Sequence, residues 1–209
     1  MVPGTIFHGS VMMHCLSMEG RMLTRSSLEN IFRVYFDEIK RCIDGKCYWA
    51  LLHVILVLPD VCGAMETNDG EATPQKYKNW CKRYLADKLI TSDDWYRMRC
   101  IVLHQGRSSD ERAQYAWFSF GQPSKTGSSV HRCVKVAPQG KILELDVGKM
   151  ADEIRVAIDR WFEAIENNEQ PLFTTNVSKN SGQLVQSHDK SSMPITIQMS
   201  TTSSPRARV

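Results

Sequence analysis

The chain contains seven cysteines (Cys15, Cys42, Cys47, Cys62, Cys81, Cys100 and Cys133) but no Cys-x-x-Cys pair. The spacing of a zinc ribbon or a thioredoxin-like dithiol is therefore missing. An odd set of scattered thiols, mostly set in apolar pattern, predicts reduced cysteines in a cytosol. The chain also lacks a large charge of either sign, since 26 Lys+Arg against 23 Asp+Glu leave +3. The saturated cation of a chromatin or ribosomal protein is excluded, and nucleic acid is permitted without being required. No basic stretch leads into an apolar run with a small-residue cleavage site near Met1, so no secretory signal is read. The longest apolar run, Tyr48 to Leu58 with His53 inside it, falls short of the about 20 residues that cross a bilayer. It predicts a core helix, with no membrane partner and a cytoplasmic location. No internal repeat is visible. Ser124-Lys-Thr-Gly127 lacks the earlier glycine of a phosphate loop and is read as a hairpin connection.

What is present is ordinary globular composition, 42% hydrophobic and 23% charged over 209 residues, enough for one core with extras. Residues 1–24 are Met-rich and unpatterned and are read as an N-terminal arm. From Ser26, the residues Leu28, Ile31, Phe32, Tyr35, Ile39 and Cys42 recur at three- and four-residue steps, which is one buried helical stripe. Ser26 and Glu29 have the spacing of a capping box, and Gly45 is the expected stop. Tyr48 to Met65 is apolar on all sides, so as a helix it belongs at the centre of a bundle, kinked or split at Pro59. Pro74 opens a short helix bearing Tyr77, Trp80, Cys81 and Tyr84 on one side. Thr91 and Ser92 can cap the next helix, Asp93 and Asp94 suit its positive end, and Gly106 marks its exit.

Beyond Arg107 the period changes to that of strands. Tyr115 to Phe120, Val130 to Val136 and Ile142 to Val147 predict a small antiparallel sheet within about 113–147. Asp152 to Ile165 returns to helical period, with Ile154, Ala157, Ile158, Trp161 and Ile165 on one face. The domain is thus expected over 25–170, followed by a disordered Ser/Thr-rich tail over 171–209.

The segment richest in chemistry runs from Asp93 to Arg107. At about 100° per residue, Arg97 and His104 lie about 20° apart on one face, whereas Arg99 and His104 are separated by about 140°. Arg99 therefore meets His104 only through its long side chain, a local distortion or a second subunit. A histidine can pass protons near neutral pH, and a guanidinium can grip phosphate oxygens and offset charge built up in a transition state. The plainer reading is a solvated basic face near a helix C-terminus, where cations are favoured. The same restraint applies elsewhere. His53 is read as a hydrogen-bonded core histidine and Asp60 as a cap for the second half of a helix split at Pro59. His14 beside Cys15 lacks further spaced ligands for a metal. Tyr115, Trp117, Phe118 and Phe120 are read as packing and not as base-stacking groups.

Arg99-x4-His104, with Arg97 as a second arginine at permitted spacing, resembles the motif of the HEPN domains. These are small helical bundles found in prokaryotic toxins, anti-phage defence proteins and RNA-processing enzymes. The resemblance covers roughly Ser26 to Ile165. It implies a mainly α, HEPN-like helical bundle in which the small antiparallel sheet is an insertion before the last helix. It further implies a ribonuclease needing no metal or other cofactor, active in phage defence or a toxin system, with Arg99 and His104 catalytic. Arg97 and Arg107 would bind substrate RNA. The partners it implies are RNA, a second copy of the chain in a homodimer, and a partner or antitoxin protein. The alternative is a catalytically silent helical module that binds nucleic acid or protein.

Overall fold

The computed structural model describes residues 23–106, 108–109, 114–123 and 130–184. The expected arm, with His14 and Cys15, lies outside them apart from Leu23 and Thr24, which both serve the fold. Leu23 is buried, and Thr24 caps α1 (Arg25–Asp44) by accepting from the Ser27 N–H at 3.3 Å. The Ser26–Glu29 box does not form, because Glu29 accepts instead from Arg25 Nε at 3.0 Å. Phe32 on the buried stripe packs edge-on against Trp161 and Phe162. The helix stops at Gly45 as expected, though Gly45 stays right-handed at φ −80° and Lys46 takes the left-handed position at φ +56°.

α2 (Tyr48–Met65) runs unbroken through Pro59. Leu51, Leu52, Ile55, Leu56, Leu58 and Cys62 are fully buried along it. At about 1.5–3 kcal/mol per large apolar side chain, that burial outweighs the about 3 kcal/mol a helical proline costs. The Tyr77 hydroxyl also donates to the Leu56 carbonyl at 3.3 Å, in the turn before Pro59. By length and composition alone α2 passes as a membrane span, yet 56% of it is buried against the bundle. Its remaining side chains, from Trp49 and His53 through Val57 to Asp60 and Val61, share one stripe.

α3 (Pro74–Tyr84) is capped by Thr73 and buries Tyr77, Trp80 and Cys81. Its approach to α2 is close, since a Cβ on Gly63 would stand 2.9 Å from the Lys76 carbonyl oxygen. α4 (Ser92–Cys100) starts with a complete capping box between Thr91 and Asp94. The strands are β1 (Trp117–Gly121), β2 (Cys133–Ala137) and β3 (Gly140–Asp146), in the order β1-β3-β2. The sheet is mixed and not antiparallel as expected: β2 and β3 form a hairpin, whereas β1 pairs parallel to β3. Phe118 and Leu143 face each other across that parallel pair and are fully buried.

α5 (Val147–Glu166) follows β3 directly, with Asp146 as its cap, and so begins before the expected Asp152. It is not the last helix. α6 (Pro171–Asn180), closed by a 3-10 turn at Ser181–Gln183, occupies the start of what the composition predicts as tail. Val177 is buried in the core and Phe173 packs against it, and polar side chains complete the docking. Asn176 Nδ2 donates to the Glu66 carbonyl at 2.8 Å, and Asn180 Nδ2 donates to those of Met65 at 3.1 Å and Thr67 at 2.7 Å. These bonds satisfy carbonyls that the end of α2 leaves without helical partners. Residues 185–209 lie outside the described part. The chain is thus mainly helical with a small mixed sheet inserted before α5.

Candidate functional site

Beyond Cys100 the helix widens into a π turn, Ile101–Gln105. The Gly106 N–H reaches the Ile101 carbonyl, the five-residue step of π bonding, and Gly106 sits left-handed at φ +59°. A π step brings residues five apart over each other, which is the distortion needed to join Arg99 to His104. Arg99 Nη1 lies 2.5 Å from His104 Nε2. A guanidinium nitrogen is always a donor, so Nε2 accepts and the imidazole carries its proton on Nδ1. The pair is thus assembled within a single chain.

The third member comes from α2. Arg99 Nε donates to Asp60 Oδ2 at 2.8 Å, with the two side chains 20% and 12% exposed. Asp60 is therefore an ion-pair partner and not the cap of a split helix. Burial pushes its carboxyl above the ordinary value, against the opposing pull of Arg99. Burial is the largest single influence and acts to lower the Arg99 pKa, but the bond to Asp60 and the charge of its carboxylate join in a net upward shift, so the guanidinium stays charged. His104 itself is exposed at the mouth of the group.

Arg97 is half-buried on α4, two residues before Arg99. Arg107 lies outside the described residues. His53 is hydrogen-bonded as expected, through Nδ1 to the Trp49 carbonyl at 2.8 Å, but it lies on the outward stripe of α2 and not in the core. Among the described residues no group of three or more His, Cys, Asp or Glu stands together as a metal site. A separate cavity of about 440 Å³ opens between the end of α3 and α5, lined in part by Arg83, Asp87, Arg132, Glu153 and Arg160. Its Arg132 is paired with both Asp87 and Glu153.

Asp60 is the member that sequence reasoning missed. The available signal was an acid inside a helix otherwise apolar on every side, a place where a charge persists only with a partner. Compared with protein-family models, curated proteins and solved structures, the chain matches none.

Proposed function

We propose that this chain is a HEPN-type, metal-independent ribonuclease of the cytoplasm, serving phage defence or a toxin system. The observation that carries the reading is the contact between Arg99 and His104 across the π turn, braced by Asp60. Asp60 holds Arg99 through Nε, which leaves the Nη1 edge aimed at the place where a phosphate would meet His104. A scissile phosphate draws Nη1 onto its own oxygen and frees the His104 Nε2 lone pair. His104 then takes the proton of the 2′-hydroxyl, the 2′-oxygen attacks phosphorus, and the bond to the 5′-oxygen breaks. Arg99 offsets the charge gathered on the phosphoryl oxygens. The departing 5′-oxygen takes its proton from His104 of a second copy, the role that a homodimer fills. Arg97 and Arg107 are assigned to substrate binding on the motif alone.

Purified protein incubated with mixed RNA in EDTA is expected to release fragments ending in 2′,3′-cyclic phosphate and 5′-hydroxyl. Absence of cleavage, or equal cleavage by His104→Ala, refutes the reading. A second reading, a silent module that binds RNA or an antitoxin-like protein, draws on the neutralisation of Arg99 by Asp60. It requires RNA binding without turnover, and weaker binding by the Arg97/Arg99 double alanine.

A further inference from the structure

The corner between α1 and α2 is a Schellman turn. Cys47 N–H donates to the Cys42 carbonyl at 2.8 Å and Lys46 N–H to that of Ile43 at 3.1 Å. Lys46 supplies the left-handed residue at φ +56°. The two positions whose side chains such a turn brings together, the third from the helix end and the second beyond it, commonly hold an apolar contact. Here both are cysteines.

Standard bond lengths and the observed 2.8 Å hydrogen bond cap the Cα–Cα separation of Cys42 and Cys47 at about 6.7 Å. That falls within the about 4.4–6.8 Å that disulfides span. Each sulfur presently faces another acceptor, Cys42 Sγ toward Glu38 Oε1 at 3.8 Å and Cys47 Sγ toward the Gly45 carbonyl at 3.5 Å. Joining them calls for side-chain rotation on a backbone already at bonding distance. Access is unequal, because Cys47 is exposed while Cys42 is 4% exposed. An oxidant therefore meets Cys47 first and finds Cys42 behind it.

We propose that Cys42 and Cys47 form a redox pair that closes into an intramolecular disulfide when the chain meets hydrogen peroxide. The peroxide O–O bond breaks as the Cys47 sulfur takes one oxygen, giving a sulfenic acid and one water. The Cys42 sulfur attacks that centre, the S–S bond forms, the S–O bond breaks and a second water leaves. Two thiols lose two electrons, and one peroxide becomes two waters. Closure staples the last turn of α1 to the first residue before α2, and thiol reductants reopen it.

The test uses the full chain exposed to hydrogen peroxide, then denatured, alkylated and cut after Arg41 and Lys46. The peptides carrying Cys42 and Cys47 are expected to remain joined until reduced, with loss of two alkylatable thiols, while the buried Cys62 and Cys81 stay alkylatable. In Cys42→Ser the same treatment should leave Cys47 as a sulfenic acid that dimedone traps. Should Cys42→Ser fail to fold, the wild-type result decides alone. The proposal is overturned if wild-type Cys47 advances to sulfinic acid with Cys42 still alkylatable, or if it is recovered joined to Cys133 or to a second chain.

Discussion

Asp60 and Arg99, 39 residues apart in the chain, meet with Oδ2 2.8 Å from Nε and so fix one edge of the guanidinium. Removing the carboxylate leaves a part-buried cation that can turn away from His104. Asp60→Asn is expected to reduce RNA cleavage about tenfold while His104 remains in place. Because the two groups are 12% and 20% exposed, the stability cost should stay below the about 3–5 kcal/mol of a fully buried broken pair. Cleavage rates and urea denaturation of the same preparation separate the two effects.

His104→Ala removes the proposed base and should lower the cleavage rate by about 10²–10⁴-fold. Arg99→Lys keeps the charge but replaces a planar fork with a point charge, which cannot hold Asp60 and face the phosphate together. It should behave like the histidine variant in rate and leave RNA affinity nearly unchanged. Single-turnover kinetics alongside filter binding checks both.

A Cβ on Gly106 would meet nothing within 4 Å, yet its φ is +59°. Gly106→Ala therefore carries a purely conformational penalty of about 1–2 kcal/mol, read as a lowered urea midpoint with an unchanged slope. Gly106→Asn, which tolerates the left-handed region better, should recover part of the loss.

Several elements were legible because one local signal decided each of them. The α1 stripe is carried by Leu28 and Phe32, α3 opens at Pro74, and Thr91 caps α4. Gly106 closes the π turn where an exit was expected. What escaped depended on distant partners. Nothing within α2 reveals that Arg99 will claim Asp60, and helical periodicity places Arg99 away from His104 because it assumes unbroken α bonding. The sheet was expected to be antiparallel throughout, but β1 pairs parallel to β3, with Phe118 beside Leu143. α6 buries Val177 alone of its apolar side chains, and Asn176 and Asn180 dock it by hydrogen bonds that composition does not reveal.

In α2, Gly63 permits an approach that no other residue allows. Replacing a helical glycine by alanine ordinarily stabilises by up to about 1 kcal/mol. Here the new methyl would lie 2.9 Å from a backbone oxygen of α3, and overpacking costs about 1–3 kcal/mol. Gly63→Ala should thus destabilise the chain, a reversal of sign that thermal denaturation will show.

Glu66 is buried, accepts from Trp161 Nε1 at 3.0 Å, and is ion-paired with Arg83. Burial raises its pKa above 4.5 against the opposing charge of Arg83. A carboxyl raised on folding contributes stability that is complete below its unfolded pKa and is lost as pH rises through the folded one. Arg83→Met removes the opposing charge, so Glu66 should titrate higher still. The variant is expected to lose about 3 kcal/mol near neutrality, with the deficit shrinking as pH falls toward the range where Glu66 protonates. Urea midpoints across that pH range test the slope.

The parallel pairing of β1 with β3 carries a consequence for the order of assembly. The β2–β3 hairpin closes over a tight turn at Pro138 and Gln139, using only local chain. β1 has no edge to join until β3 is in place, and its pairing closes a far longer loop. The hairpin is thus an early-forming element and β1 a late one. β1 is the strand expected to pair last, after the hairpin has presented the β3 edge.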